Sequence, residues 1–325
     1  MHEFNRDRLM DEFCAYERTL ALRTAIELDL FTHIGAGKST IPALGKATRA
    51  SARGLQVLCD YLTVHEHLVK RGQRYGLTLN SRLYLTKDSP AYFGSAVRFL
   101  ASDAYIRSLC DLLRTVKQGR ARSPKTDWQD YALFMSPLAV DVAALVAETI
   151  AAKITGPIKV LDVAAGHGLY GLAIAKRNSK AHIHALDSPR VLRVAAKHAS
   201  EIGVRRRFHP VPGDAFKIDY GGPYDLVLTA NIAHHLGRAD NIELFQRCRA
   251  ALKTGGKLIL LDFVINDDRV SPAVEAGFAL HLFATGSWGV YTFREYRGML
   301  RAAGFRDIRR GKKGGYSRWM ITASG

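Results

Sequence analysis

The 325-residue chain has few cysteines and no long apolar run, and both absences exclude classes of protein. Its four cysteines lie far apart without a C-x-x-C pair: Cys14, Cys59, Cys110 and Cys248. This spacing favours reduced thiols over a zinc site or a disulfide framework. No apolar run approaches the roughly 20 residues that cross a bilayer, and the charged N-terminal stretch is unlike a signal peptide. We therefore expect a cytoplasmic protein without a membrane partner.

Acidic residues are also scarce, with 30 against 47 lysines and arginines, which gives a formal net charge of +17. The electrostatic field of such a positive net charge attracts nucleic acid, acidic small molecules or anionic partners, and the net charge alone does not distinguish among these three. The 47% of hydrophobic and 24% of charged residues are ordinary for a globular protein, so disorder and fibrous structure are excluded. The length favours two domains.

The first 95 residues predict a small and mostly helical domain. Apolar residues recur at helical spacing over 8–31, and two capped helices with a turn between them follow over 39–68. The segment LVKRGQRYGLTL then places a glycine-bearing turn between two β-prone runs, which is typical of the wing of a winged-helix module. We place this domain at 1–95, followed by linker helices and a second domain over 96–325.

A helix-turn-helix with a positive net charge also fits a DNA-binding regulator. The candidate recognition helix, however, has Arg53 as its one basic residue, beside the acidic Asp60 and Glu66. A helix that reads the major groove normally carries several donors for phosphates and bases. We therefore do not expect nucleic acid as the partner.

From residue 157 onward, apolar strands and helical segments alternate, which predicts an α/β fold with a parallel sheet covered on both faces. The last two β-prone runs, within 305–324, are joined by a Lys-Lys-Gly-Gly turn. They predict an antiparallel hairpin at the sheet edge.

A glycine-rich turn after the first of these strands predicts a ligand site. VLDVAAGHGLYG contains a formal G-x-G-x-x-G from Gly166 to Gly171, and Asp187 ends the next strand 21 residues after Gly166. Glycines let the backbone approach a ligand, and a helix start presents free N–H groups. Taken alone, the pattern also fits a nicotinamide dinucleotide and an oxidoreductase. Asp162 in the preceding strand favours a cationic ligand instead, because a pyrophosphate would meet its negative charge.

Polar residues at the ends of the next strands fit an adenosine without phosphate. Asp187 can accept hydrogen bonds from two ribose hydroxyls. Asp214 can accept one from an exocyclic amine, and Phe216 offers an apolar face to an adenine ring. Each acid alone could be a helix cap or part of a surface ion pair. The prediction of an adenosine site therefore depends on the acids occurring in order at successive strands.

In this order and spacing, the motifs resemble those of class I S-adenosylmethionine-dependent methyltransferases. They are VLDVAAGHG, HALD, PGDAF, YDLVLTANIAHHL and LKTGGKLILLDF, within 157–265. Upstream, ELDLF, YGLT and WQDYALFM resemble the dimerising O-methyltransferases typified by plant caffeate and bacterial polyketide enzymes. The resemblance implies a Rossmann-like α/β domain that binds S-adenosylmethionine, preceded by a winged-helix domain that forms a homodimer.

The resemblance also assigns the cofactor-binding residues. Near the sulfonium it places Tyr131 and Met135, whose ring face and thioether suit a cation. The full expected set is Tyr131, Met135, Asp162, Ala164, Gly166, Gly168, Asp187, Asp214, Ala215, Phe216 and Asn231. There are two departures from the family pattern, since Ala164 replaces the usual first glycine and Ala230 stands where plant members have a lysine. Neither is expected to abolish cofactor binding.

The resemblance places the chemistry on a histidine after the fourth strand. Methyl transfer is an in-line displacement, which requires alignment of the acceptor and a base that removes its proton. His234 aligns with the catalytic histidine of the family, and Asp262 aligns with the acid that orients this histidine in plant relatives. His235 falls where many relatives have aspartate. Adjacent histidines rarely converge on one ion, so no metal is expected.

The second acid of the plant enzymes is absent, because Val290 or Tyr291 stands near its position. Three alternatives therefore stay open. The acceptor hydroxyl could already be acidic, the methylated atom could be nitrogen or carbon, or the chain could be a family member that has lost methyl transfer.

Acceptor specificity in the resembled family comes from the segment after the fifth strand, here 271–293. Its rings suggest a flat, apolar acceptor, although they fit an ordinary core equally well. With His235, the expected pocket residues are Phe278, His281, Phe283, Trp288 and Tyr291. We expect O-methylation of a hydroxyl on a small aromatic metabolite, as in secondary metabolism, and the basic field favours an anionic one.

Overall fold

The computed structural model describes residues 6–122, 126–151, 156–315 and 318–325. It divides into two compact units, Met1–Asp103 and Ala104–Gly325. The boundary expected at residue 95 therefore lies inside the first unit. Residues 1–5, 123–125, 152–155 and 316–317 lie outside the described residues.

The first unit is mostly helical, with one small hairpin. Its helices are α1 (Arg6–Glu27), α2 (Leu30–Gly35), α3 (Ile41–Thr48), α4 (Ala52–Val64), α5 (Leu79–Tyr84) and α6 (Ala96–Leu100). The Thr40 and Ser51 hydroxyls accept the backbone N–H groups of Ala43 and Gly54, so both predicted N-caps are present. Strands β1 (Leu68–Arg71) and β2 (Arg74–Leu77) pair antiparallel as the predicted wing.

Helices and strands alternate in the second unit. Its helices are α7 (Asp103–Cys110, beginning at the boundary), α8 (Leu112–Gln118), α9 (Trp128–Met135), α10 (Val140–Ala151), α11 (Leu169–Arg177), α12 (Pro189–Glu201), α13 (Arg238–Ala250), α14 (Ala273–Ala284) and α15 (Phe293–Ala302). Its strands are β3 (Ile158–Val163), β4 (Ala181–Asp187), β5 (Phe208–Pro212), β6 (Tyr224–Ala230), β7 (Leu252–Ile265), β8 (Tyr291–Thr292), β9 (Arg306–Lys313) and β10 (Arg318–Ser324).

These strands form one sheet in the order β5-β4-β3-β6-β7-β10-β9, and the short β8 also pairs with β7. The first five are parallel, whereas β10 runs antiparallel to both β7 and β9. This confirms the predicted parallel sheet with an antiparallel hairpin at its edge. In the register of β10 and β7, Arg318 lies opposite Phe263 and Trp319 lies opposite Asp262.

Helices cover both faces of the sheet, so β3, β6 and β7 are apolar and buried on both sides. On one face, a core of α10, α11 and α12 side chains includes Val146, Ile174 and Ala195. On the other, a core of α13 and α15 side chains includes Phe245 and Leu300. Burial on both faces holds the strand ends rigid where the ligand site begins.

The stretch Trp128–Ile150 spans 23 residues and is long and apolar enough to cross a membrane by length and composition. The expectation that no apolar run reaches this length is therefore wrong on those two criteria. In the fold, Val142, Val146 and Ile150 of this stretch are buried in the core against the sheet. Burial of its apolar face in protein identifies the stretch as a core element.

Candidate active site

The carboxyl ends of the parallel strands open on a cavity of about 690 Å³. Open α/β sheets bind ligands at this edge, and the volume lies in the range of roughly 300–1,000 Å³ that is usual for small-molecule sites. The structure brings most of the expected cofactor residues to its wall: Tyr131, Met135, Ala164, Gly166, Asp187, Asp214, Ala215, Phe216 and Asn231. Asp162 and Gly168 are not among the lining residues.

The glycine-rich turn has a backbone that explains its sequence. Gly168 has φ 74°, and a Cβ atom there would lie 2.8 Å from the Cβ of Ala195 on α12, so only glycine fits. Ala164 has φ 54°, which lies in the left-handed region that favours glycine. The alanine at this position therefore carries backbone strain, on the order of 1 kcal/mol, that the usual family glycine would avoid.

Asp187 is held at the end of β4 by two backbone donors. The Gly166 N–H donates to Oδ2 at 2.9 Å and the Ser188 N–H to Oδ1 at 2.7 Å. Burial raises the pKa of this carboxyl above its ordinary value, although both hydrogen bonds oppose the shift. A partly buried carboxylate on the cavity wall is a strong acceptor for paired hydroxyl groups.

Asp214 and Phe216 line the cavity beyond β5. The Phe216 N–H donates to Asp214 Oδ1 at 2.9 Å, and this bond, helped by Lys217, lowers the pKa of the Asp214 carboxyl. The backbone bond fixes the turn that presents the Phe216 ring to the cavity. An anionic acceptor and an apolar ring therefore lie side by side.

Asp162 lies behind the turn. Its side chain is buried, and Oδ2 accepts the Gly171 N–H at 3.3 Å. Burial raises the pKa of this carboxyl well above its ordinary value. The expected crevice of three acids thus contains two, Asp187 and Asp214, while Asp162 contacts the start of α11.

The opposite wall comes from α9, where Tyr131 and Met135 lie one helical turn apart and face the cavity. Burial raises the pKa of the Tyr131 phenol to about 12, so the ring is neutral at physiological pH. The Trp128 ring packs edge-on against both Tyr131, at 5.6 Å between centroids, and His235, at 5.2 Å. A thioether and three aromatic rings therefore surround this part of the cavity.

Five polar or aromatic lining residues are not predicted by the sequence: Trp128, His167, Tyr170, Ser188 and Arg318. Burial lowers the pKa of His167 to about 3, and its Nδ1 accepts the Leu169 N–H at 3.1 Å, so the imidazole on the cavity wall is neutral. Arg318 follows a basic run that is typical of a solvated face. Its place at the start of the apolar β10 sequence RWMITAS is the signal that could identify it as buried.

His234 and Asp262 form a buried pair beside the cavity, 2% and 0% exposed. His234 Nδ1 lies 2.6 Å from Asp262 Oδ1, and the other carboxylate oxygen faces the His234 N–H at 3.3 Å. Because a carboxylate can only accept hydrogen bonds, Nδ1 donates and the neutral imidazole has its lone pair on Nε2. The pair therefore presents a base of fixed tautomer.

Aromatic rings surround His234 on its other sides. Phe278 lies 5.3 Å from it and Phe263 6.0 Å, both edge-on. His281 then stacks between Phe278, at 5.8 Å, and Tyr105, at 5.2 Å. Burial lowers the pKa of His281, which favours the neutral, aromatic form of this side chain.

The other expected acceptor residues are dispersed. His235 lines the cavity with Nδ1 2.7 Å from Ser287 Oγ, and burial lowers its pKa well below the ordinary value. Trp288 is 64% exposed, and Phe283 is half-buried. Tyr291 is buried in the core with its hydroxyl donated to the Leu236 carbonyl at 2.7 Å. The structure therefore groups Phe278 and His281 with His234 and leaves Tyr291 and Trp288 apart.

No group of three or more His, Cys, Asp or Glu side chains within the described ranges could hold a metal ion. The mixed sheet, the glycine-rich turn and the two strand-end carboxylates define a class I methyltransferase fold with a nucleoside-type cavity.

Comparison with known proteins agrees with this class. Residues 10–87 match the O-methyltransferase dimerisation domain and residues 110–306 match the O-methyltransferase domain. The 3-hydroxy-5-methyl-1-naphthoate 3-O-methyltransferase of Streptomyces sahachiroi is 25% identical over 90% of this chain and 87% of its own. The bacteriochlorophyllide d C-20 methyltransferase of Chlorobaculum tepidum is 26% identical, with 88% of each chain covered.

Among solved structures, a Nostoc punctiforme protein assigned to the O-methyltransferases is 34% identical. Its TM-score is 0.91 over 99% of this chain and 100% of its own. The chain therefore belongs to the O-methyltransferase family with an N-terminal dimerisation domain, whose members take a methyl group from S-adenosylmethionine. The residues on the cavity wall fit that cofactor. The Asp187 and Asp214 carboxylates can accept hydrogen bonds from its hydroxyl and amine groups, and the Phe216 ring offers an apolar face beside them.

Proposed function

We propose that this enzyme methylates a hydroxyl group of a small aromatic metabolite, with His234 as the general base. The observation that carries the proposal is the buried His234–Asp262 pair, 2.6 Å apart, beside the nucleoside cavity. S-adenosylmethionine, when bound, supplies an electrophilic methyl group. The chain's own residues must then bind that cofactor, align the acceptor and receive its proton.

Cofactor binding is divided along the cavity wall. Asp187 accepts from the ribose hydroxyls, while Asp214, Ala215 and Phe216 hold the adenine. At the other side, the Tyr131 ring and the Met135 thioether face the sulfonium. Asp162 and Gly168 act from behind, by supporting the turn that contributes Ala164 and Gly166.

His234 Nε2 would receive the proton of the acceptor hydroxyl as that oxygen takes the methyl group and the sulfonium is left as the neutral thioether of S-adenosylhomocysteine. Asp262 holds the proton on Nδ1, so Nε2 stays available as the acceptor, and it stabilises the imidazolium that results. Asp262 Oδ1 also accepts the Phe263 N–H at 2.8 Å, which fixes the orientation of the Asp262 side chain. A base of fixed tautomer is useful for an alcohol or phenol, whose proton must be removed.

The acceptor side is aromatic and neutral, with Phe278 and His281 near His234 and with His235 on the cavity wall. Flat rings pack well against such side chains. Phe283, Trp288 and Tyr291 do not group with His234, and the proposal does not depend on them. The Streptomyces relative, by its name, methylates a hydroxyl on a naphthoate, which supports this acceptor class.

Carbon methylation is the second candidate, because the Chlorobaculum relative is by name a C-20 methyltransferase. Purified enzyme with S-adenosylmethionine labelled on its methyl carbon, incubated with hydroxynaphthoates, hydroxyindoles and hydroxyphenazines, separates the two. We expect a labelled product whose carbon-13 resonance is that of an aryl methyl ether. A C–CH3 or N–CH3 resonance, or no product from any member of the set, would contradict the proposal.

We also propose a homodimer formed through the first unit. On α1, Leu9, Phe13, Tyr16 and Leu20 form an apolar stripe at helical spacing and are 39%, 62%, 64% and 39% exposed. An exposed apolar stripe of this kind is typical of a helix that packs on a partner.

The free cysteines support a reducing, cytoplasmic setting.

Sedimentation velocity tests the dimer, with an expected mass of about twice the 35.9 kDa of one chain. Replacing both Phe13 and Tyr16 with aspartate should shift the population to monomer, because the charges would be buried without partners. Val270→Asp, at a residue that is 74% exposed in the second unit, is the matched control. A monomeric wild-type protein would rule the dimer out.

A further inference from the structure

Arg318 is a buried arginine on the wall of the cofactor cavity, only 5% exposed at the start of β10. Its guanidinium carbon lies 5.0 Å above the centre of the Phe263 ring, which faces it across the β10–β7 pairing. Few arginines are buried to this degree, because removing a charge from water is costly unless the protein or a ligand compensates it. The side chain therefore lies buried at a position where it can contact a ligand of the cavity.

The guanidinium is also held in a fixed orientation. Its Nε–H donates to Asn231 Oδ1 at 2.9 Å, and Asn231 Nδ2 in turn donates to the Tyr170 hydroxyl at 3.0 Å. The ring below and the amide beside it fix the plane of the guanidinium. Five N–H donors lie in that plane, and their fork matches the two oxygens of a carboxylate.

The sheet order locates this cation relative to the other charges of the cavity. Asp214 follows β5 at one side, Asp187 ends β4, Asn231 follows β6 and Arg318 begins β10 toward the other side. The acids therefore serve the nucleoside, and the arginine lies toward the amino-acid part of the cofactor and the acceptor. A second positive charge near a sulfonium is unfavourable unless an anion lies between or beside them.

We infer that Arg318 binds a carboxylate in this cavity, supplied by the amino-acid part of the cofactor or by an acidic aromatic acceptor. The inference rests on the proposed cofactor site and adds that a ligand of this site carries a negative charge that Arg318 binds.

Calorimetric titration of the full-length protein with two matched ligand pairs tests this inference. The first pair is S-adenosylhomocysteine and 5′-methylthioadenosine, which lacks the amino-acid part. The second is 3-hydroxy-2-naphthoate and its neutral carboxamide, titrated with S-adenosylhomocysteine already bound. The variants are Arg318→Gln, which removes the charge, and Arg318→Lys, which keeps the charge without the fork. The matched control is Arg310→Gln, because Arg310 stacks on Trp319 at 4.5 Å from the exposed strand β9.

We expect Arg318→Gln to weaken the charged member of one pair by about 10- to 100-fold, as for a lost charge-assisted hydrogen bond. The neutral member should change less than about twofold by the same reasoning, because it lacks the carboxylate. Arg318→Lys should retain part of the affinity, and Arg310→Gln all of it. An effect in the first pair identifies the cofactor as the source of the carboxylate, and an effect in the second identifies the acceptor.

If Arg318→Gln lowers the affinity for the charged and neutral members of a pair equally, the cavity is disturbed and the inference is overturned. The inference is also overturned if the charged ligands bind the wild type and Arg318→Gln with equal affinity. A wild-type protein that binds neither S-adenosylhomocysteine nor methylthioadenosine would instead overturn the cofactor site itself. The wild-type titrations thus separate failure of the proposed function from failure of the inference about Arg318.

Discussion

His234→Asn lowers kcat for the methylated acceptor by about 10²- to 10⁴-fold, the contribution of a positioned general base. The asparagine amide can still donate to Asp262 in place of Nδ1, so the buried carboxylate keeps a hydrogen-bond partner. What the variant lacks is the Nε2 lone pair that receives the acceptor's proton. Initial rates at saturating S-adenosylmethionine, with the acceptor identified by the labelling experiment, give the value.

Two controls make this result specific. Binding of S-adenosylhomocysteine to His234→Asn should be unchanged, because His234 is not among the residues that line the cavity. His235→Asn tests the adjacent imidazole, whose Nδ1 pairs with Ser287 instead of an acid, and should lower kcat far less. If His234→Asn keeps kcat within about threefold, alignment alone drives the reaction and the general-base assignment is wrong.

Asp187→Ala lowers the affinity for S-adenosylhomocysteine by about 10²- to 10⁴-fold. Two ribose hydroxyls would lose charge-assisted hydrogen bonds, each worth about 1.5–3 kcal/mol. The Gly166 N–H would lose its partner as well, so the glycine-rich turn would be less well held. Calorimetry with S-adenosylhomocysteine and with NAD, on wild type and variant, measures the change.

The matched control for this variant is Asp219→Ala. Asp219 also accepts a backbone N–H, from Gly221 at 2.9 Å, but it is exposed and does not line the cavity. Its removal should leave the affinity unchanged. Tighter binding of NAD than of S-adenosylhomocysteine to the wild type would support the dinucleotide interpretation of the G-x-G-x-x-G pattern and refute the assignment of Asp187.

Local chemistry makes much of the fold predictable. The Thr40 and Ser51 caps depend on residues three positions apart, and the alternation after residue 157 follows from strands buried on both faces. The position of Asp187 at a strand end is equally local, since a parallel strand ends where its apolar run ends. For the same reason the sequence alone assigns Asp214 to the ligand edge.

Directions of individual side chains are less predictable. Asp162 lies in the strand before the turn, yet its side chain contacts the Gly171 N–H behind the turn and does not reach the cavity. Side chains of a strand alternate between the two faces, and the choice of face depends on the pairing register. Tyr291 illustrates the same point, because its hydroxyl donates to the Leu236 carbonyl inside the core.

The sequence by itself determined the family, the order of elements and the residues at the strand ends, because these depend on local patterns and ordered motifs. The resemblance already implies that Asp262 orients His234, and the structure adds their 2.6 Å contact across 28 positions of the chain. Only the tertiary structure decided that Arg318 lies above Phe263 with its Nε–H on Asn231. Each of these contacts needs strands distant in the chain to pair in one register. The long-range packing of the sheet sets that register, so the sequence can indicate that Arg318 is buried but not that it lies on the wall of the cofactor cavity.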